Sequence, residues 1–112
     1  MFTSYRSFPN QGIGRLYRHG DVLLKAIRDL PRGLEKHSGT TLASGEMTGH
    51  RHRIQETDRA QLWVQGNNLF LEIKGNATLV HEEHHPIVLP QGIYQVWRQR
   101  EYRPEQDLEV ED

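Results

Sequence analysis

Apolar residues along this chain fall at alternate positions or in short unbroken runs, the pattern of strands in a sheet. Val22-Leu23-Leu24 follows the turn signal Gly20-Asp21. Thr40 to Ala43, His50 to Gln55 and Gln61 to Gln65 read as further strands, and Leu69 to Ile73 alternates with Leu69, Leu71 and Ile73 on one side. Ala77 to His81, Ile87 to Leu89 and Ile93 to Arg98 complete the series. Turn residues separate the runs: Pro31-Arg32-Gly33, Ser38-Gly39, Gly45 and Gly49, Gly66-Asn67-Asn68, Gly75-Asn76 and Pro90-Gln91-Gly92. One stretch, Leu24 to Leu30, could start a helix, but Pro31 would stop it and strand plus turn fits better. The spacing predicts an all-β fold, a small single-domain β-barrel or β-sandwich. Val22 to Leu24, Leu69 to Ile73, Leu79, Ile87 to Leu89 and Val96 are the expected core, and the strand positions of Trp63 and Trp97 favour core roles too.

The ends differ from this pattern. Residues 1–14 read as a flexible N-terminal arm, with Phe2, Tyr5 and Phe8 available to dock. Residues 104–112 form an acidic tail with Glu105, Asp107, Glu109, Glu111 and Asp112 and no base. The β domain is expected over residues 15–103. A length of 112 residues suits one domain. No run approaches the roughly 18 apolar residues of a membrane-spanning helix.

Fourteen basic residues against fifteen acidic ones give a net charge of -1, which disfavours a uniformly basic nucleic-acid binder and leaves a local patch open. The absence of cysteine excludes disulfide scaffolds, zinc knuckles and thiol catalysis. With no basic-then-apolar leader at the start either, a cytoplasmic location is expected. The histidines change the picture most. There are seven, and five lie between His50 and His85.

His50-Arg51-His52 would place two imidazoles on one face of a strand, where both can reach a metal ion. A soluble surface strand is the plainer alternative. His81-Glu82-Glu83-His84-His85 follows about thirty residues later with five metal-capable side chains in a row. Histidines three apart would face opposite sides of an unbroken strand, so His81 and His84 converge only where the strand bends. A hydrophilic turn is the alternative here. Together His50, His52, His81 and His84 make a candidate ligand set for a divalent metal, with zinc, manganese, iron and nickel not distinguished. Glu82 and Glu83 are candidate general bases, ligands or orienting groups. Arg100 and Tyr102, in Gln99-Arg100-Glu101-Tyr102, are second-rank catalytic candidates, the arginine as an anion clamp. Arg51, Arg53, Arg59 and Arg98 could extend this into a basic strip, with Trp63, Trp97 and Tyr102 offering stacking surfaces for RNA.

From Gly45 the chain reads G-x4-H-x-H-x3-E, ending at Glu56, which weakly resembles the first cupin metal motif. The second cupin motif places P-x-G before its histidine, whereas Pro90-Gln91-Gly92 follows the cluster here, so no cupin activity is carried over. The fold expectation is thus only weakly cupin-like. A wider resemblance runs through Gly20-Asp21-Val22-Leu23-Leu24, Gly45-Glu46-Met47-Thr48-Gly49-His50-Arg51-His52, His81-Glu82-Glu83-His84, Leu89-Pro90-Gln91-Gly92-Ile93-Tyr94-Gln95-Val96 and Gln99-Arg100-Glu101-Tyr102-Arg103-Pro104. This succession is similar to a family of small uncharacterised bacterial and phage proteins with the pattern GDVLL…GExTGHxH…HEEH…LPxGxYxV…QREYxP. In that pattern His50, His52, His81 and His84 have counterparts, which sharpens the site and leaves the reaction open.

Three functions follow as expectations. The first is a metal-dependent hydrolase acting on a phosphodiester, either RNA or a small nucleotide. The second is a metal-independent ribonuclease with paired histidines as general acid and base. The third is a non-catalytic accessory module with a structural metal, which binds a partner protein or a second copy of itself.

Overall fold

A computed structural model describes residues 12–45 and 47–101 of the chain. Ten strands run in order: β1 (Leu16–His19), β2 (Val22–Ile27), β3 (Glu35–His37), β4 (Thr41–Ser44), β5 (Arg51–Ile54), β6 (Ala60–Gln65), β7 (Asn68–Ile73), β8 (Ala77–Val80), β9 (Ile87–Leu89) and β10 (Gly92–Arg98). Two short 3-10 turns, Thr57–Arg59 and Gln99–Glu101, are the described helical pieces. The expected arm at residues 1–11 and the expected tail at 104–112 lie outside the described residues.

All pairings are antiparallel and assemble two sheets, ordered β1-β2-β10-β7-β6-β3 and β4-β5-β8-β9. Among the described residues no strand pairing joins the sheets, so the two expected architectures resolve in favour of a sandwich. Strand alternation explains the core. Val22, Leu24 and Ala26 of β2, Leu71 and Ile73 of β7, and Tyr94 and Val96 of β10 point from the large sheet into one cluster. Leu42, Ile54, Ala77, Leu79 and Leu89 meet them from the small sheet. Tyr94 spans the layer, donating its hydroxyl to the Pro90 carbonyl at 2.6 Å and meeting Tyr17 edge-on. Burial pushes its phenol pKa well above the usual range.

Several expectations change. Val88 is 61% exposed, because the middle residue of β9 faces away from the core that Leu89 enters. Trp63 and Trp97 sit half-buried on the outer face of the large sheet, in register with Phe70 and Leu23, and outside the core cluster. That face also buries Glu72, whose carboxylate accepts from the Trp63 indole at 3.0 Å. Burial raises the Glu72 pKa. Arg51 and Arg53 project from the small sheet, since their neighbours His52 and Ile54 on β5 point inward. The expected combination of these arginines with the tryptophans is therefore divided between opposite faces.

Candidate metal centre

The histidines gather at one end of the sandwich because three connections meet there. β5 carries His52 inward, 5% exposed, with His50 just ahead of the strand. β8 ends at Val80, and the chain bends through His81 to Pro86 before β9 begins. That bend removes the opposite-face problem of a three-residue spacing. The rings of His81 and His84 come to 4.7 Å between centroids, and His81 lies 4.3 Å from His52 and 5.6 Å from His50. One ligand nitrogen each from His52, His81 and His84 fall within 4.8 Å of one another. His50, His81 and Glu82 form a second such group that shares His81.

The large sheet supplies the other side. β1 and β2 pair down to His19 and Val22, leaving Gly20-Asp21 as a two-residue turn over the cluster. Gly20 has a φ of +61°, and a Cβ there would lie 2.6 Å from His84 Nε2 and 3.0 Å from His52 Cε1. Only glycine suits both demands. The turn is also tied to the end of β10, where the Gln99 amide donates to the Asp21 carbonyl at 2.6 Å.

His19, 3% exposed, completes the cluster through two close contacts: its Nε2 lies 2.8 Å from the His85 carbonyl oxygen, and its Nδ1 lies 2.9 Å from His52 Nδ1. Burial is the largest cause that lowers the pKa of both rings, for His52 to about 4, with the neighbouring imidazoles adding to it. Both are therefore neutral at physiological pH, the form that binds metal. Across the ring, His52 Nε2 lies 3.4 Å from Asp21 Oδ1, and Arg98 approaches the other Asp21 oxygen at 4.0 Å.

A family model described as a domain of unknown function, DUF8820, matches residues 18–99. The chain belongs to the DUF8820 family. The DUF8820 segment contains every histidine of the cluster together with Gly20 and Asp21, while Arg100 and Tyr102 lie beyond it. Compared with curated proteins and with solved structures, the chain matches none.

Within the DUF8820 domain the carboxylates are already engaged. Glu82 accepts from the Arg51 amide at 2.9 Å and from the Arg53 guanidinium at 3.2 Å, and the first of these bonds chiefly lowers its pKa. Glu82 thus secures the His81 corner to β5. Glu83 is exposed and lies 3.6 Å from His50 Nδ1, while its amide donates to His81 Nδ1 at 3.0 Å. For neutral His81 that bond puts the proton on Nε2, so a metal at either nitrogen displaces a proton or the Glu83 contact. Glu56, the acid of the cupin-like spacing, gives both oxygens to Thr78, at 2.7 Å from its amide and 2.8 Å from its hydroxyl, and forms no part of either group.

Arg100 is exposed on the 3-10 turn after β10, Tyr102 lies outside the described residues, and the arginine beside the centre is Arg98. Sequence reasoning missed His19 and Asp21. Their signal was a two-residue turn between Leu16–His19 and Val22–Ile27, a hairpin whose first strand carries Tyr17 and His19 on one face.

Proposed function

We propose that this DUF8820 domain binds one divalent transition-metal ion through His52, His81 and His84 and uses it to hydrolyse a phosphodiester. The observation that carries the metal reading is the three ligand nitrogens within 4.8 Å of one another, a spacing that suits an ion bonded at about 2.0–2.1 Å. Burial supports it further, since it holds His52 in the neutral form. A divalent ion in such a place supplies Lewis acidity towards a phosphoryl oxygen and acidifies water. Arg98, beside Asp21 at the rim, supports an anionic substrate such as RNA or a small nucleotide. The lack of cysteine agrees with a reducing, cytoplasmic setting.

The metal-free ribonuclease reading has less support. It needs one imidazolium as general acid at neutral pH, and burial opposes that form in both His19 and His52. The deciding experiment is metal content by plasma mass spectrometry on untagged protein, beside His52→Ala and His84→Ala. About one equivalent in the wild type and none in either variant is expected, followed by chelator-sensitive cleavage of a phosphodiester. A wild type that stays metal-free after reconstitution overturns the metal reading. A loaded protein without hydrolytic activity leaves the ion a structural role.

A further inference from the structure

The hydrogen bonds around His19 determine which ring nitrogens carry protons. A carbonyl oxygen only accepts, so the 2.8 Å contact to the His85 carbonyl requires a proton on His19 Nε2. A neutral His19 then has a bare Nδ1. The 2.9 Å contact between the two Nδ1 atoms consequently requires His52 to donate from its own Nδ1. His52 Nε2 is left bare, with its lone pair 3.4 Å from Asp21 Oδ1, itself an acceptor. Two acceptors held face to face, with no proton between them, repel unless a cation joins them.

Nothing in the turn lets Asp21 swing away freely. Its carbonyl is bonded to the Gln99 amide, its neighbour Gly20 packs against His84 and His52, and Arg98 lies beside Oδ2. Oδ1 is the oxygen that remains directed at the histidines. We propose that Asp21 is a fourth ligand of the ion, and that His19 is a positioning residue whose bond to the His85 carbonyl holds His52 in the ligating tautomer. This rests on the metal reading above and extends it. Three neutral imidazole nitrogens and one carboxylate oxygen carry a charge of minus one. That donor set selects a borderline divalent ion such as zinc, iron or cobalt over magnesium or calcium, which take oxygen-rich sets.

The test is titration of the full chain with Co2+, followed by calorimetry and by the visible absorption of the bound ion, in wild type, Asp21→Asn and His37→Ala. His37 lies exposed on β3 and serves as the control. Wild type and the control should bind one Co2+ with the strong visible band of a four-coordinate site, in the presence of excess Mg2+. Asp21→Asn should bind roughly ten- to a hundredfold more weakly, with the band reduced or shifted. Wild-type affinity and an unchanged spectrum in Asp21→Asn overturn the fourth ligand and leave the three-histidine reading standing. No Co2+ binding by the wild type overturns both. A second measurement needs no variant: 15N shifts of the metal-free wild type should show His52 protonated on Nδ1 and bare on Nε2, and the reverse tautomer overturns the assignment.

Discussion

At the residue scale, His52 connects packing to proton chemistry. It is 5% exposed and surrounded by other imidazoles, and its pKa falls to about 4 because burial penalises the charged ring. In the unfolded chain the same side chain titrates near 6.5. As pH falls through this window the unfolded state takes up a proton that the folded state refuses. Its stabilising contribution is therefore complete above about pH 6.5 and lost as pH drops towards 4. His19 shifts in the same direction and steepens the effect. Metal-free protein in chelator should show a falling Tm between about pH 7 and pH 5, and His52→Gln should flatten that slope. A wild-type Tm indifferent to pH over this range would mean the rings are not held neutral.

At the element scale, the strands were legible where alternation had one apolar side, as in Leu69, Leu71 and Ile73 of β7. β3 was not legible: Glu35–His37 is a short edge strand exposed throughout, with no apolar face to mark it. The tryptophans misled for a different reason. The large sheet is apolar on both faces, so alternation around Trp63 does not reveal which side meets the other sheet. Of the site, the two histidine clusters were visible as spacing, whereas the contribution of His19 and Asp21 depends on a hairpin pairing that spacing alone does not disclose. That hairpin yields its own prediction. Alanine at Gly20 would adopt a disfavoured positive φ and press its Cβ against His84 Nε2. His84 is exposed and can swing outward, so Gly20→Ala should cost only about 1 kcal/mol in denaturant unfolding. Metal affinity should fall much further, at least tenfold by calorimetry, because His84 leaves the group as it moves. Equal binding by Gly20→Ala and wild type would show that the close approach has no bearing on the site.

At the scale of the molecule, the centre lies where the two sheets have polar rather than apolar contact. His19 and Asp21 belong to the hairpin of the large sheet, and His52, His81 and His84 to the small sheet. The bonds from His19 to His52 and to the His85 carbonyl already cross between them. An ion held by ligands from both sides links the sheets at one end, while the shared core of Leu24, Leu62, Leu79 and Leu89 holds the interior. Such an ion binds the folded chain and finds no preformed site in the unfolded one, so it stabilises by linkage. At a free metal concentration a hundred times Kd the gain is about 2.7 kcal/mol. For a domain of this size that raises Tm by roughly 10 °C or more. Thermal unfolding with and without Zn2+ should show this rise, chelator should reverse it, and His84→Ala should abolish it. Asp21→Asn should keep only part of the rise, because the ion then touches the small sheet alone. A bound metal that leaves Tm unmoved would mean that it does not join the sheets, and the accessory and catalytic readings would both lose the centre that supports them.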